Sequence, residues 1–153
     1  MFSSLFNSVK ETMEIVKCKN VKTPTYSAGN AGYDFYVPND FPLTYLYPGQ
    51  TLVIKSGIKC NIPVGKVLVA FDKSGVSTTQ HIGVIAPVVD ECYTGEISLC
   101  IQHFGQLMTM IHPGQKLIQF ILLDYSLPEL KVVKYINKVT NRGDNGFGST
   151  GLF

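Results

Sequence analysis

The sequence predicts a single all-β domain, a sandwich or barrel that contains one short helix. Turn signals recur about every eight to twelve residues, at 38–40, 48–49, 56–57 and 62–65, and the runs between them are β-branched or aliphatic: TLVIK, IKCNI and KVLVAF. No strand–helix–strand rhythm is present, which argues against a doubly wound nucleotide fold. The 153 residues are enough for one domain to bury its own core.

Composition limits the kinds of partner that we expect. Hydrophobic residues make up 45% of the chain and charged residues only 16%, which indicates that other subunits cover some apolar surface. The formal net charge of +2 is too small to predict a nucleic-acid or membrane surface. Four cysteines without CxxC spacing predict neither a zinc site nor a disulfide framework. Buried thiols in a reducing compartment are expected.

Residues 1–12 are predicted to be an N-terminal extension that precedes a domain at 13–140. Apolar residues recur there at helical spacing, but no long apolar run follows, so neither a signal peptide nor a membrane span is predicted. A cytoplasmic location is expected, and a nuclear one is compatible with the sequence.

The first strands are predicted at 14–22 and 31–37. In AGYDFYV, small Ala31 and Gly32 precede an alternation that places Asp34 on the face opposite Phe35. Asp34 is therefore either an ordinary exposed strand acid or a functional carboxylate.

A short helix is predicted over 75–81, after Lys73 and Ser74. Ser74 is either the N-cap of this helix or part of an anion site that it forms with the Lys73 ammonium and the helix N-terminus.

The stretch 85–102 predicts a β-hairpin with Asp90 and Tyr93 at its tip, beside the turn residues Thr94 and Gly95. Asp90 is either a turn residue that bonds its own backbone or a functional acid.

The segment 112–125 predicts a turn and then a strand that is too apolar for one exposed face. Burial on both faces, between sheets or between subunits, is expected. Gln119 lies inside this apolar run and needs a hydrogen-bond partner.

The tail 141–153 contains four glycines and cannot form a core strand. It is either a disordered terminus or a flexible arm that folds over a nucleotide. Arg142 is the one arginine of the chain and offers the planar donor fork that suits phosphate. Gly-rich backbone amides can cradle anions, and Phe147 can cover a base.

Five segments in this order resemble the five motifs of the homotrimeric dUTPase family: AGYDFY (31–36), KSG (73–75), VVDECYTGE (88–96), GQKLIQF (114–120) and RGDNGFGSTG (142–151). The resemblance spans the chain from about Glu14. It implies a distorted jelly-roll or β-barrel subunit of the β-clip type, which assembles as a homotrimer. Three active sites would lie at the subunit interfaces, each closed by a C-terminal arm.

The reaction implied by the resemblance is hydrolysis of dUTP to dUMP and pyrophosphate, which keeps uracil out of DNA and supplies dUMP for dTMP synthesis. Asp90 would activate the water that attacks the α-phosphorus, and Ser74 would donate to the bridging oxygen. Mg²⁺ would chelate the triphosphate, and Asp34 would order it through water. The implied substrate-binding residues are Lys73, Gly75, Val88, Tyr93, Gln119, Arg142, Phe147, Gly148, Ser149 and Thr150.

This chain departs from the family pattern at four positions. Lys73 stands where Arg is usual and lacks the bidentate fork. Pro87 replaces a common Gly and removes a backbone donor near the base. Ile118 replaces an Ala, and Asn145 replaces a Gly.

Two other functions are open from the sequence. A dCTP deaminase of the same fold usually carries a Glu before the hairpin Gly, where this chain has Thr94. A regulatory protein that uses the nucleotide as a switch, with a host protein as partner, is the other. No stable nucleic-acid or membrane binding is expected.

Overall fold

The computed structural model describes residues 12–137, and everything said of the structure concerns that range. The predicted extension at 1–12, apart from Thr12, and the predicted arm at 141–153 lie outside it, so both boundaries stay predictions. The described chain forms eleven strands and one helix. They are β1 Glu14–Lys17, β2 Tyr33–Tyr36, β3 Thr44–Leu46, β4 Thr51–Lys55, β5 Ile58–Asn61, β6 Lys66–Asp72, α1 Ser74–Gln80, β7 Ile82–Val84, β8 Val88–Val89, β9 Ser98–His103, β10 Thr109–Ile111 and β11 Lys116–Asp124.

The prediction of an all-β fold with one short helix is confirmed. Within the described residues the strands form a four-stranded sheet (β2-β11-β6-β8), a three-stranded sheet (β4-β9-β7) and two pairs, β1-β5 and β10-β3. Every pairing is antiparallel. Because side chains alternate across a strand, β9 turns Leu99, Ile101 and His103 into the core and leaves the residues between them half-buried.

The core lies between the sheets and is closed by aromatic and branched side chains. Phe35 of β2 and Phe120 of β11 meet with ring centroids 4.5 Å apart and are each 1% exposed. Leu68, Leu99 and Ile101 are fully buried beside the same cluster. Burying each such side chain contributes on the order of 1.5–3 kcal/mol, so this cluster fixes the relative positions of the strands that carry the site.

The hairpin predicted at 85–102 is only partly correct. Its first run, β8, pairs with β6, whereas its second run, β9, pairs with β4 and β7. The prediction that these two runs pair with each other is therefore wrong. The chain leaves β9 because Ala86 has a positive φ of 50° and Pro87 carries no N–H for a ladder, and the Pro87 carbonyl instead accepts the Ala70 N–H at 2.8 Å.

The helix begins one residue earlier than predicted and ends with His81 in the left-handed conformation. Lys73 occupies the N-cap position and makes no side-chain cap bond. The interpretation of Ser74 as an N-cap is therefore wrong. The first strand is also shorter than the predicted 14–22, since β1 ends at Lys17.

Within one chain, β11 is buried at Leu117, Ile118 and Phe120 but exposed at Leu123 and Asp124. Burial of this strand by another subunit stays a prediction. Cys60 is buried as expected, but Cys18 and Cys92 are exposed. Helix α1, the one helix of the described residues, lacks the length and hydrophobicity needed to cross a membrane.

Candidate active site

The predicted site residues of the described chain lie in two groups at opposite ends of β6. Leu68 pairs with Val89, so the next residue, Asp90, lies beside the start of β6. Ser74 follows the other end of β6 and opens α1. A strand rises about 3.3 Å per residue, which separates Asp90 from Ser74 by roughly 20 Å along β6. We call them the cavity end (Val88, Asp90 and Tyr93) and the lysine end (Asp34, Lys73, Ser74, Gly75, Lys116 and Gln119).

The lysine end is centred on the Asp34 carboxylate, which lies on β2 directly opposite Gln119 of β11. Lys73 donates to Asp34 Oδ1, and Lys116 forms an ion pair with Asp34 Oδ2 at 3.0 Å. The Asp34 side chain is 19% exposed. Burial alone would raise the pKa of Asp34, but the hydrogen bonds from Lys73 and Lys116 outweigh it and lower the pKa below its ordinary value. Asp34 is therefore ionised at neutral pH.

Positive charge exceeds negative charge at the lysine end. Lys73 and Lys116 bring two ammonium groups to one carboxylate. A third ammonium, of Lys22, lies 4.9 Å from the centroid of the Tyr36 ring, and Lys116 lies 5.8 Å from the same centroid. An excess of cations around one partly buried carboxylate attracts an anion such as a phosphate chain.

Gln119 has the partner that the sequence required of it. Its Nε2 donates to the Asp72 carbonyl at 2.8 Å, which ties β11 to the end of β6. Gly32 faces the same side chain, since a Cβ at that position would lie 3.3 Å from Gln119 Oε1 and 3.1 Å from the Phe120 carbonyl. Glycine at position 32, just before β2, therefore leaves room for these two oxygens, and a larger residue would be tight there.

Ser74 and Gly75 are exposed at the start of α1. A Cβ at Gly75 would meet nothing within 4 Å, so the space in front of the helix is open. The later turns are held by Thr78 and Thr79, whose hydroxyls donate to the carbonyls of Ser74 and Gly75 at 2.7 and 2.6 Å. The Ser74 hydroxyl has no hydrogen-bond partner among residues 12–137, which leaves it free for a ligand.

The cavity end is a small cavity with one acid on its rim. Its volume is about 200 Å³, and its lining consists of Ala86, Val88, Val89, Asp90, Tyr93, Ile97, Ser98 and Cys100. Val88 is 59% exposed and Tyr93 is 42% exposed. The Asp90 carboxylate is exposed and has no side-chain partner in the described range. A mostly apolar cavity with few polar groups is typical of a binding site for a ring-shaped ligand.

The turn that carries Asp90 is held by backbone contacts and by the Tyr93 ring. The Tyr93 N–H donates to the Asp90 carbonyl at 3.0 Å, and the Tyr93 hydroxyl donates to the Glu96 carbonyl at 3.0 Å. A Cβ at Gly95 would lie 2.5 Å from both Cζ and Oη of Tyr93. Glycine at position 95 therefore allows the ring to lie across the turn.

Two glutamates anchor this turn, and sequence reasoning did not find them. Glu91 Oε2 accepts the Gly65 N–H at 2.5 Å, and its hydrogen bond with Tyr125 raises the pKa of that phenol. Glu96 accepts the Gly57 N–H at 2.7 Å. Burial would raise the pKa of Glu96, but this N–H and a Lys19 ammonium at 3.2 Å lower it. Nothing in the local sequence marks these long-range partners.

A larger cavity of the described chain contains none of the predicted site residues. It measures about 610 Å³ and lies between the end of α1 and the loop after β9, with His81 and His103 in its lining. His103 is 1% exposed, and its Nδ1 has no hydrogen-bond partner in the described chain.

Both oxygens of the Asp34 carboxylate are paired with lysines, so Asp34 would hold Mg²⁺ through water. No cluster of three metal-ligating side chains occurs in residues 12–137. Mg²⁺ keeps several of its waters and often binds one or two carboxylates together with substrate phosphates. A single carboxylate beside a phosphate site is therefore a sufficient protein contribution. Arg142, Phe147, Gly148, Ser149 and Thr150 lie outside the described residues, and their roles stay predictions.

The chain thus combines an antiparallel β fold with a lysine–carboxylate cluster and an acid-rimmed cavity. Residues 19–151 match the dUTPase family. The deoxyuridine 5'-triphosphate nucleotidohydrolase of Vaccinia virus (strain Copenhagen) is 35% identical over 99% of each chain. The enzyme of the same name from Mus musculus is 32% identical over 82% of this chain and 75% of its own. The chain belongs to the dUTPase family.

Solved structures agree with the fold. The dUTPase of Staphylococcus bacteriophage 80alpha with bound dUPNHPP has a TM-score of 0.82 and 25% identity, covering 92% of this chain and 99% of its own. A mutant dUTPase from phage phi11 of S. aureus, in which a structural Mg(II) ion is coordinated, has a TM-score of 0.75 and 23% identity over 84% of this chain and 100% of its own.

Proposed function

We propose that this chain hydrolyses dUTP to dUMP and pyrophosphate, with Mg²⁺, in active sites that are shared between three copies. The chain is a member of the dUTPase family, and its curated relatives along almost the whole length are nucleotidohydrolases of this substrate. The hydrolysis keeps uracil out of DNA and supplies dUMP for dTMP synthesis.

The observation that carries the shared site is the separation of the two ends of β6. A base that activates water must lie within about 3 Å of it, while that water must also reach the α-phosphorus. In one chain Asp90 lies roughly 20 Å along β6 from Lys73 and Ser74, so these groups cannot act on the same phosphate. The lysine end of one copy and the cavity end of another together supply both the phosphate-binding groups and the general base of one active site.

Apolar surface beyond β11 supports the assembly. Residues 126–137 form no strand or helix, and several large side chains there are almost fully exposed. A water-exposed monomer rarely leaves so many large apolar side chains of one short segment uncovered. The exposed side chains are Leu127 (85%), Leu130 (92%), Val132 (99%), Tyr135 (74%) and Ile136 (79%).

At the cavity end, Asp90 takes the proton of the attacking water. Its carboxylate has no competing side-chain partner, and the neighbouring copy would exclude bulk water from the rim. The main chain at Val88 reads the uracil, because a strand edge offers both donors and acceptors. The Tyr93 ring packs on the deoxyribose and leaves no room for a 2'-hydroxyl.

At the lysine end, the groups that lie around Asp34 hold the triphosphate. The Lys73 ammonium and the Gln119 amide contact the phosphates, the Ser74 hydroxyl donates to the bridging oxygen, and the Gly75 backbone lies open beside it. These contacts position the α-phosphorus and neutralise developing charge, which is the main requirement of phosphoryl transfer. Mg²⁺, when bound, neutralises phosphate charge, and Asp34 orders its water shell.

Residues 141–153 complete the site. Phe147 stacks over the uracil, while Arg142, Gly148, Ser149 and Thr150 hold the distal phosphates. This role rests on the family motif.

Mixing two inactive variants tests the shared site directly. Asp90→Asn removes the acid of the cavity end and Lys73→Met removes a cation of the lysine end, so each pure assembly is expected to be nearly inactive. After joint unfolding and refolding at equal amounts, about a quarter of the sites would combine an intact lysine end with an intact cavity end. Pyrophosphate release from dUTP should then recover to about that fraction of the parent activity.

Asp90→Asn mixed with the parent protein serves as the control for refolding. Persisting inactivity of the Asp90→Asn and Lys73→Met mixture would show that one chain supplies both ends.

A further inference from the structure

Asp34 is shared by two ammonium groups that approach different oxygens. Lys73 contacts Oδ1, whereas Lys116 lies 3.0 Å from Oδ2. The proposed function uses Lys73 on the phosphates and leaves Lys116 without a role. The three N–H donors of the Lys73 ammonium share one charge, so any approach to a phosphate weakens its hold on Asp34.

The surroundings of the two lysines differ. Lys73 immediately precedes Ser74 at the start of α1, and Asp34 is its one side-chain partner in residues 12–137. The Lys116 ammonium also lies 5.8 Å from the centroid of the Tyr36 ring. That ring is fixed in turn by a 2.6 Å hydrogen bond between the Tyr36 and Thr25 hydroxyls. Lys116 therefore has two attractive neighbours on β2, and Lys73 has one.

Removing the only partner of a partly buried carboxylate is costly, since the charge is left uncompensated. With Lys116 in place, Asp34 keeps one ion pair when Lys73 moves away. The departure of Lys73 toward a phosphate then costs less than it would in a simple pair.

We propose that Lys116 is a positioning residue of the phosphate site: it retains the Asp34 carboxylate while Lys73 exchanges that carboxylate for a phosphate of the nucleotide. This inference rests on the proposed function. Lys116 acts through Asp34 and does not itself touch the substrate.

A double-mutant cycle tests this role through binding and not through turnover. The probe is the α,β-imido analogue of dUTP, titrated by calorimetry without Mg²⁺ so that the contact of Asp34 with a metal does not enter. Lys116→Met should weaken binding about tenfold, because Lys73 must then leave Asp34 unpaired. In an Asp34→Asn background the same change should weaken binding less than about twofold, since no carboxylate charge is left to retain.

Three further variants complete the test. Lys116→Arg should bind the analogue nearly as the parent does, because it keeps the charge. Lys59→Met removes an exposed lysine of β5 and should leave binding unchanged. Lys116→Gln measures the same loss if Lys116→Met does not assemble.

The outcomes separate this inference from the proposed function. An equal loss with and without the Asp34 charge would show that Lys116 binds the phosphates directly and would overturn the inference, as would parental affinity in Lys116→Met and Lys116→Gln. If the parent protein itself failed to bind the analogue or to hydrolyse dUTP, the proposed function would fall instead.

Discussion

The side chains at the two ends of β6 are held in place by different kinds of contact. At the lysine end, charged side chains hold one another: Asp34 is paired twice before any ligand is present. At the cavity end, the Asp90 carboxylate is exposed and unpaired within the described chain, and its turn is fixed by the Tyr93 N–H and hydroxyl. Groups that bind phosphate can be pre-paired and exchanged, whereas a general base must keep its oxygens free. The following changes should affect the two ends unequally.

Asp90→Asn should have the largest effect, and on turnover alone. Losing a general base costs about 10²–10⁴-fold in rate, whereas the amide keeps the size of the side chain and the turn. We expect pyrophosphate release to fall by about a thousandfold, with binding of the α,β-imido analogue changed little. Asp40→Asn, at an exposed turn, is the matched control. Turnover at the parental rate would remove Asp90 from this role.

Displacing the Tyr93 ring should alter the choice of sugar. Tyr93→Ala removes the ring, and Gly95→Ala should push it aside, since the new Cβ would lie 2.5 Å from Cζ and Oη of Tyr93. In both variants the ratio of kcat/KM for dUTP over UTP should fall about tenfold. Tyr93→Phe loses only the bond to Glu96 and should keep most of that ratio. Unchanged discrimination in Tyr93→Ala would place the sugar elsewhere.

The smallest effect should appear in stability as a function of pH, and at the lysine end. The folded pKa of Asp34 lies below the ordinary value of 3.8. The stabilisation from its ion pairs is therefore complete above that value and disappears as pH falls through the lower folded pKa. Asp34→Asn should be less stable than the parent at neutral pH and should lose less stability on acidification.

Denaturant midpoints of the parent and Asp34→Asn, measured at neutral pH and near pH 3, would show this difference. Asp40→Asn controls for the general effect of removing an aspartate. A parallel fall of the parent and Asp34→Asn with pH would contradict the assignment.

Local patterns predicted the elements well and their partners poorly. The alternation in β9, the apolar run of β11 and the short helix were readable because they depend on neighbours in sequence. The partner of β8 was not, because it depends on the positive φ of Ala86 and on the distant strand β6. The alternation of side chains predicts that a segment is a strand, but it does not predict which strand lies beside it.

The same limit applies to the candidate site. The sequence left Asp34 as either an exposed acid or a functional one, and Ser74 as either a cap or an anion contact. In the structure Asp34 lies among lysines of two distant segments. Lys73 is 39 positions further along the chain and Lys116 is 82 positions further. The contacts of Lys116 and Glu91 could not be predicted from the sequence, because only sheet pairing brings their partners near.

In the proposed assembly, each polypeptide would contribute one half-site to each of two active sites. In a closed ring, a copy with both half-sites damaged would inactivate two active sites, although the neighbouring copies that complete those sites are intact. Catalysis would also disappear on dilution before any protomer lost its shape, because separation alone divides the acid from the phosphate. Strand β6 would thus both contribute to the core and hold the two half-sites of one chain too far apart for a separate protomer to be active.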